Sequence, residues 1–258
     1  SPGKLLAHQQ IPHPSSLPVP MQRQAPASVK TLPGQFVSFK HHSPIYFRSP
    51  ISVGGHRSAS PGYRLAIQRP FPTAAEDRYS ALVFLKNHAR EFGIRRVQII
   101  IGGESAGGGL CAAVCMMAGD RKSVNITFQM PLYPVLDAET QKAPGTITGK
   151  SGTPGKIILP GSSIFGDPKT QVPVYAAPAR AHNYSSLPPA YTFVGDGEPF
   201  YVEMLRYTKN LKRAGIPAEV NIYHTDIHTF DMMRPELEIS GIAPPSLFQI
   251  FQMNFPVE

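Results

Sequence analysis

The sequence contains no tryptophan, only two cysteines and no long apolar run. Cys111 and Cys115 are four residues apart in one predicted helix, which favours burial over bridging, so neither a disulfide framework nor a zinc site is predicted. A membrane-spanning helix needs roughly 20 consecutive apolar residues, and we therefore expect no membrane span. The first four residues lack the charged and apolar parts of a secretory signal, which makes a cytoplasmic location the default expectation.

Acidic residues are absent before Glu76, although the chain carries a net charge of +8. The basic residues of this stretch are Lys4, Arg23, Lys30, Lys40, Arg48, Arg57, Arg64 and Arg69. The 17 remaining basic residues balance the 17 acidic ones, so the excess belongs to the N-terminal segment alone. Because its charges are scattered among prolines and do not form a block, we predict no nucleic-acid partner.

The chain divides into an irregular segment and one folded domain. Residues 1–61 are rich in proline, serine and glutamine and lack sustained periodicity, with Gln35–Phe39 and Ile45–Phe47 as candidate short strands. Residues 62–258 have the length and the apolar pattern of a single domain with one substantial core. The interval Pro144–Ser163 is rich in glycine, proline and serine and predicts a long loop.

Strands and helices alternate along the predicted domain. A first helix follows Pro72, with a capping-box spacing from Thr73 to Glu76 and Gly93 as its C-terminal cap. The predicted strands are Val97–Ile101, Ile126–Met130, Tyr191–Val194 and Ala218–Tyr223, and the later helices are Leu110–Ala118, Tyr201–Ala214 and Ser246–Phe255. This alternation predicts an α/β fold with a mainly parallel sheet and helices on both faces.

The glycine-rich turn after the strand Val97–Ile101 carries a candidate nucleophile. Ser105 stands between Gly103 and Gly107 in a Gly-x-Ser-x-Gly pattern, at the junction of a buried strand and a helix of small residues. This context holds a serine on a sharp, exposed turn, where a neighbouring base can activate its weakly nucleophilic hydroxyl. The backbone N–H of Ala106 would then point at the substrate oxygen and form part of an oxyanion hole.

The base and the acid are expected later in the chain. His228 follows the strand Ala218–Tyr223 and is the leading candidate base, with His224 as its nearest rival. Asp196 and Glu198 both follow the strand Tyr191–Val194 at the carboxyl edge of the sheet, and their positions alone do not choose between them. A metal site formed by His224, Asp226 and His228 is a further hypothesis, but no other cluster of metal-ligating residues is evident in the sequence to complete it.

Several ordered motifs resemble the hormone-sensitive-lipase-like esterases of the α/β-hydrolase superfamily. They are Tyr63-Arg64-Leu65-Ala66, Pro70-Phe71-Pro72 with Glu76-Asp77, Gly102–Gly108, Met130–Pro134, Tyr175–Arg180, Leu187-Pro188-Pro189 and His228–Asp231. The resemblance covers roughly residues 62–258 and implies an α/β-hydrolase catalytic domain with an atypical or truncated N-terminal lid region. It also implies association into homodimers.

The resemblance assigns roles to individual residues. It implies Ser105 as nucleophile, His228 as base and Glu198 as acid, since Gly195–Pro199 matches the family's Gly-x-x-Asp-Pro-like motif with glutamate in the aspartate position. The family's His-Gly-Gly-Gly-type oxyanion loop has no match here, because Gly54-Gly55-His56 has the reverse order and lies too near Tyr63. The family's tryptophans beside the site are also absent, which predicts an altered pocket.

Two functional hypotheses follow. The first is a serine carboxylic-ester hydrolase that acts on small acyl esters through a Ser–His–Glu triad and an acyl-enzyme, with no cofactor and no metal. The second is a catalytically impaired homologue that keeps the fold for a binding or structural role, because the missing glycine loop removes oxyanion donors.

Overall fold

The computed structural model describes residues 35–39, 51–53, 56–59, 61–66, 69–137, 146–148, 154–156 and 172–242. The strands are β1 (Gln35–Phe39), β2 (Ile51–Val53), β3 (His56–Ala59), β4 (Ile99–Glu104), β5 (Ile126–Leu132), β6 (Thr146–Thr148), β7 (Pro154–Lys156), β8 (Ala190–Gly195) and β9 (Ala218–Tyr223). The α-helices are α1 (Thr73–Asn87), α2 (Ala106–Arg121), α3 (Tyr201–Arg213), α4 (Phe230–Met233) and α5 (Glu238–Ile242).

Seven strands form one sheet in the order β2-β3-β1-β4-β5-β8-β9. All neighbouring pairs are parallel except β2 with β3, which are antiparallel. The carboxyl ends of the parallel strands therefore meet at one edge, where loops after β4, β5, β8 and β9 come together. The predicted α/β fold with a mainly parallel sheet is confirmed.

The core lies between the central strands and the two long helices beside them. Ile99, Ile100 and Ile101 on β4 are fully buried, and α2 packs on β4, β5 and α1. Cys111 and Cys115 are buried and free, as their spacing predicted. No helix in the described part of the chain is both long and apolar enough to cross a bilayer.

The start of the first helix differs from the predicted capping box. Thr73 is already helical, and no side chain caps this end of α1. Glu76 instead accepts two hydrogen bonds from Arg121 at the end of α2, at 2.9 and 2.5 Å. The helix ends at Asn87 rather than at the predicted cap Gly93, which has a positive φ of 62° in the following turn.

Two other predicted elements are also corrected. Val97 was predicted to start the central strand, but it is 73% exposed and lies outside it. The strand begins at Ile99, the first residue of this run whose side chain is fully buried. The predicted loop Pro144–Ser163 contains the antiparallel pair β6 and β7, where Thr146 is in register with Lys156. The β-branched run that forms β6 suits a pleated strand despite its glycine-rich surroundings.

The sheet crosses the predicted boundary at residue 61. Strands β1, β2 and β3 all come from the stretch predicted to be irregular, and β1 coincides with its candidate strand. Local sequence patterns do not reveal the pairing of β1 with β4, because the paired residues, such as Gln35 and Ile99, are far apart in the sequence. The candidate strand Ile45–Phe47 and the candidate helix Ser246–Phe255 lie outside the described residues, and the division into two segments stays a prediction.

Candidate active site

Ser105 lies on a strained turn between β4 and α2. Its backbone has φ 56° and ψ −118°, in the left-handed half of conformational space that a residue with a side chain rarely adopts. The turn is held on both sides, because the Ser105 N–H donates to Leu132 O at 3.0 Å and its carbonyl accepts from Val135 N at 3.2 Å. Backbone strain fixed by surrounding structure is frequent at active sites.

Glycine is required beside this turn for steric reasons. A Cβ atom on Gly103 would lie 2.3 Å from Gly107 O, a separation that real side chains do not reach. The two glycines of the Gly-x-Ser-x-Gly pattern therefore let strand and helix approach closely, as the sequence predicted. Ser105 thereby projects from the carboxyl edge of the sheet.

The structure brings His228 to the predicted nucleophile across 123 residues of sequence. His228 Nε2 lies 2.8 Å from Ser105 Oγ, and the imidazole is largely buried on the loop between β9 and α4. Thr225 stabilises this loop by accepting the Ile227 N–H at 3.1 Å. This geometry suits transfer of the serine proton to the imidazole.

Glu198 lies on the other side of the same imidazole. Its Oε2 is 2.5 Å from His228 Nδ1, while its Oε1 accepts the Gly195 N–H at 2.8 Å. The Glu198 side chain is fully buried, and both carboxylate oxygens have partners. The carboxylate can therefore hold the ring orientation and stabilise an imidazolium, which is the task of an acid in such a group.

Asp196 and His224, the two rival candidates, lie together at a separate place. His224 Nδ1 is 2.9 Å from Asp196 Oδ2, and the His224 side chain is 90% exposed. The hydrogen bond with Asp196 raises the pKa of His224. Among the described residues no group of three metal-ligating side chains occurs, and His224 and His228 pair with different carboxylates.

Aromatic rings enclose the imidazole. The rings of Tyr133 and Phe200 lie with their centroids 5.2 and 5.1 Å from that of His228, both in tilted, edge-type arrangements. Neither residue was predicted to be part of the site. Tyr133 belongs to the motif Met130–Pro134, so the signal was visible, but only the fold shows that this motif ends beside His228.

A further carboxyl group, that of Asp231, lies partly buried in helix α4, directly after the His228 loop. Burial, together with the charge of nearby Glu104, raises the pKa of Asp231 to about 6. Burial also raises the pKa of Tyr133, and the charges of Asp231 and Glu104 add to this effect. Neither residue was predicted as part of the site.

The start of helix α2 and the end of strand β1 both lie beside the serine turn. Ala106 is the first residue of α2, where backbone N–H groups have no partner within the helix. Strand β1 runs beside the nucleophile strand, and Phe39 at its end is in register with Gly103. His56 begins β3, which is parallel to β4 through β1, so His56 lies at the sheet edge opposite to the one that Ser105 follows.

Comparisons with known proteins agree with this architecture. The chain is 33% identical over 176 residues to esterase LipI of Mycobacterium tuberculosis, covering 65% of this chain and 53% of that protein. It is 30% identical over 172 residues to an arylesterase of Saccharolobus solfataricus, covering 65% and 56%. The chain thus spans about half the length of the curated relatives it matches.

Solved esterase structures have a similar fold. The hyperthermophilic esterase from the archaeon Pyrobaculum calidifontis superposes with a TM-score of 0.70 at 26% identity, covering 86% of this chain and 76% of that one. The family model described as the alpha/beta hydrolase fold matches residues 52–232, which include β3, the serine turn and the His228 loop. The chain therefore belongs to the α/β-hydrolase superfamily, within its hormone-sensitive-lipase-like family of esterases.

Proposed function

We propose that this protein is a serine carboxylic-ester hydrolase that acts on small acyl esters. The observation that carries the proposal is the continuous hydrogen-bonded chain from Glu198 through His228 to Ser105, with separations of 2.5 and 2.8 Å. These residues occur in the order nucleophile, acid, base, which is the order of this fold. The names of the similar proteins, an esterase and an arylesterase, favour ester substrates.

The geometry supports a two-step acyl transfer. Ser105 Oγ attacks the ester carbonyl while His228 Nε2 takes its proton, and the imidazolium is stabilised by the Glu198 carboxylate. His228 then returns the proton to the leaving alcohol, which yields an acyl-enzyme on Ser105. A water molecule, deprotonated by the same imidazole, attacks the acyl-enzyme and releases the acid.

The tetrahedral oxyanion needs donors that are in place before the reaction. The N–H of Ala106 at the start of α2 is one proposed donor, supported by the positive end of a 16-residue helix. A further donor in this fold comes from the loop after the strand beside the nucleophile strand. Here that strand is β1, and Lys40-His41-His42 follows it in the sequence.

Hydrolysis of p-nitrophenyl acetate and butyrate tests the proposal. We expect measurable turnover, and Ser105→Ala should lower kcat by at least about 10³-fold because the nucleophile is lost. Ser185→Ala is the matched control, since its hydroxyl is exposed and bonds only Asn183 among the described residues. Equal activity in Ser105→Ala and wild type would refute the assignment.

A catalytically impaired homologue with a binding role is the second candidate. It is favoured by the lack of glycine in Lys40-His41-His42, directly after β1, because loss of one oxyanion donor costs roughly 10²–10³ in rate. A fluorophosphonate probe separates the candidates. Rapid labelling of Ser105 supports the hydrolase, whereas a folded protein that neither labels nor hydrolyses the esters supports the second candidate.

A further inference from the structure

The segment after β5, residues 133–137, is hydrogen-bonded to the serine turn. Val135 donates its N–H to Ser105 O at 3.2 Å, and Leu132, the last residue of β5, accepts the Ser105 N–H at 3.0 Å. The segment leaves the strand through Tyr133, whose backbone has a positive φ of 32°. A displacement of this segment therefore moves the strained serine turn, and with it the Ser105 hydroxyl.

Helix α3 holds the segment after β5 through a buried carboxyl group. Glu203 Oε1 accepts the N–H of Leu136 at 2.6 Å, and Leu136 directly follows the residue that binds Ser105 O. Glu203 is only 2% exposed, and Leu136 is fully buried. A backbone N–H at this depth needs an acceptor, because an unsatisfied buried donor is costly. Glu203 supplies that acceptor from the first turn of α3.

A second contact from α3 reaches the next residue of the same segment. Arg206 donates to Asp137 Oδ2 at 2.8 Å, while Arg180 donates to Asp137 Oδ1 at 2.7 Å. Glu203 and Arg206 are three residues apart, so they lie on one face of the helix. Helix α3 therefore binds two successive residues of the segment, Leu136 and Asp137.

The beginning of α3 also contacts the candidate acid and the candidate base. The N–H of Tyr201 donates to Glu198 O at 3.2 Å. The ring of Phe200, which directly precedes the helix, lies with its centroid 5.1 Å from that of His228. One end of one helix thus contacts the acid, the base and, through Leu136, the segment that binds the nucleophile.

We propose that Glu203 is a positioning residue for Ser105, which it keeps at hydrogen-bond distance from His228 by fixing the Leu136 N–H. The inference rests on the proposed function, because it concerns the same attack on the ester carbonyl. The Glu203 oxygen fixes the segment after β5, and the segment fixes the backbone of Ser105. The separation of 2.8 Å between Ser105 Oγ and His228 Nε2 depends on that backbone. A displacement of about 1 Å in such a geometry can lower the rate roughly 10²-fold.

Two substitutions separate the position of the Glu203 oxygen from the charge of the side chain. Glu203→Gln removes the charge but keeps an acceptor oxygen at the same reach, whereas Glu203→Asp keeps the charge but is shorter by one methylene group. With p-nitrophenyl acetate we expect Glu203→Asp to lower kcat about 10- to 100-fold with little change in KM. Glu203→Gln should retain kcat within about threefold of wild type. The rate of labelling by fluorophosphonate should follow the same order, because it reports the reactivity of the Ser105 hydroxyl.

Thr208→Val is the matched control in the same helix. The Thr208 hydroxyl is buried and donates to Met204 O at 3.1 Å, so its loss should lower the melting temperature but leave kcat unchanged. Arg206→Met loosens the same segment through Asp137 from a side chain that is half exposed, and it should lower kcat about threefold. Should Glu203→Asp fail to fold, an unchanged kcat in Arg206→Met would refute the inference.

Amide hydrogen exchange, followed by NMR, tests the same effect without an ester. Exchange of the Val135 N–H should be about tenfold faster in Glu203→Asp than in Glu203→Gln, because the segment loses its anchor only in the shorter side chain. A wild type that neither labels nor hydrolyses would refute the proposed function, whereas the exchange comparison would still test this inference. Equal kcat and equal Val135 exchange in the two Glu203 variants, or the larger change in Glu203→Gln, would refute it.

Discussion

The position of one imidazole favours Glu198 over Asp196 as the proposed acid. Glu198 is buried against His228, whereas Asp196 pairs with the exposed His224. Glu198→Gln should lower kcat by about 10³–10⁴-fold, because an amide does not hold the required tautomer or stabilise the imidazolium. Steady-state hydrolysis of p-nitrophenyl butyrate measures this loss.

Asp196→Asn provides the comparison at the same loop. This change removes the same charge two residues away and should alter kcat less than twofold, about the scatter of such assays, because the exposed pair with His224 is screened by solvent. A larger loss in Asp196→Asn than in Glu198→Gln would reverse the assignment of the acid. Circular dichroism of both variants checks that they are folded.

The close contact between helix α2 and the segment after β5 requires glycine at position 109. A Cβ atom on Gly109 would lie 2.2 Å from Val135 O, which is backbone and cannot rotate away. Gly109→Ala should therefore lower the free energy of unfolding by about 1–3 kcal/mol through overpacking. Because Val135 N also donates to Ser105 O, we expect the serine turn to shift and activity to fall.

Gly119→Ala is the matched change in the same helix. Its Cβ would lie 2.4 Å from the Ser186 hydroxyl, which can rotate, and 2.9 Å from Ser186 Cβ, which a small shift relieves, so the steric loss is smaller than at Gly109. The better helix propensity of alanine offsets part of it, by about 0.5–1 kcal/mol. Urea unfolding should thus rank Gly119→Ala as more stable than Gly109→Ala, and the opposite order would contradict the packing described for α2.

The stability of the whole molecule should depend on pH through Asp231. The pKa of its carboxyl group is raised from 3.8 to about 6 by burial, so the folded state holds a proton that the unfolded state has already lost between these values. Stability from this group therefore falls as the pH rises from about 4 to 6, and the full cost is present above pH 6.

Asp231→Asn removes the loss of stability that the ionised, partly buried carboxylate causes at neutral pH. We expect the variant to be more stable than wild type at pH 8 by on the order of 1–2 kcal/mol, a figure reduced for partial exposure of the group. The difference should vanish near pH 4, where both side chains are neutral. Thermal unfolding at pH 4, 6 and 8 measures it, and an equal difference at all three values would show that ionisation is not the cause.

Local patterns predicted the elements that depend on local physics. The strand Ala218–Tyr223 has the predicted bounds, and the helix from Tyr201 ends one residue earlier than predicted. Helix α2 extends beyond its predicted range, because glycines at 107–109 weaken the helical signal while tight packing against the sheet stabilises it. Strands β2 and β3 were missed, since three or four residues carry too little periodicity and their partners are distant in sequence.

The sequence by itself determined the strand–turn–helix around Ser105, because glycines on either side of a serine, after a buried strand, are compatible with few backbone conformations. It also limited the base and the acid to two candidates each. Only the tertiary structure paired His228 with Glu198 and left His224 with Asp196, since these distances depend on how β8 and β9 align at one edge of the sheet. The pairing of β5 with β8 brought Tyr133 beside the same imidazole, a juxtaposition that no local spacing encodes.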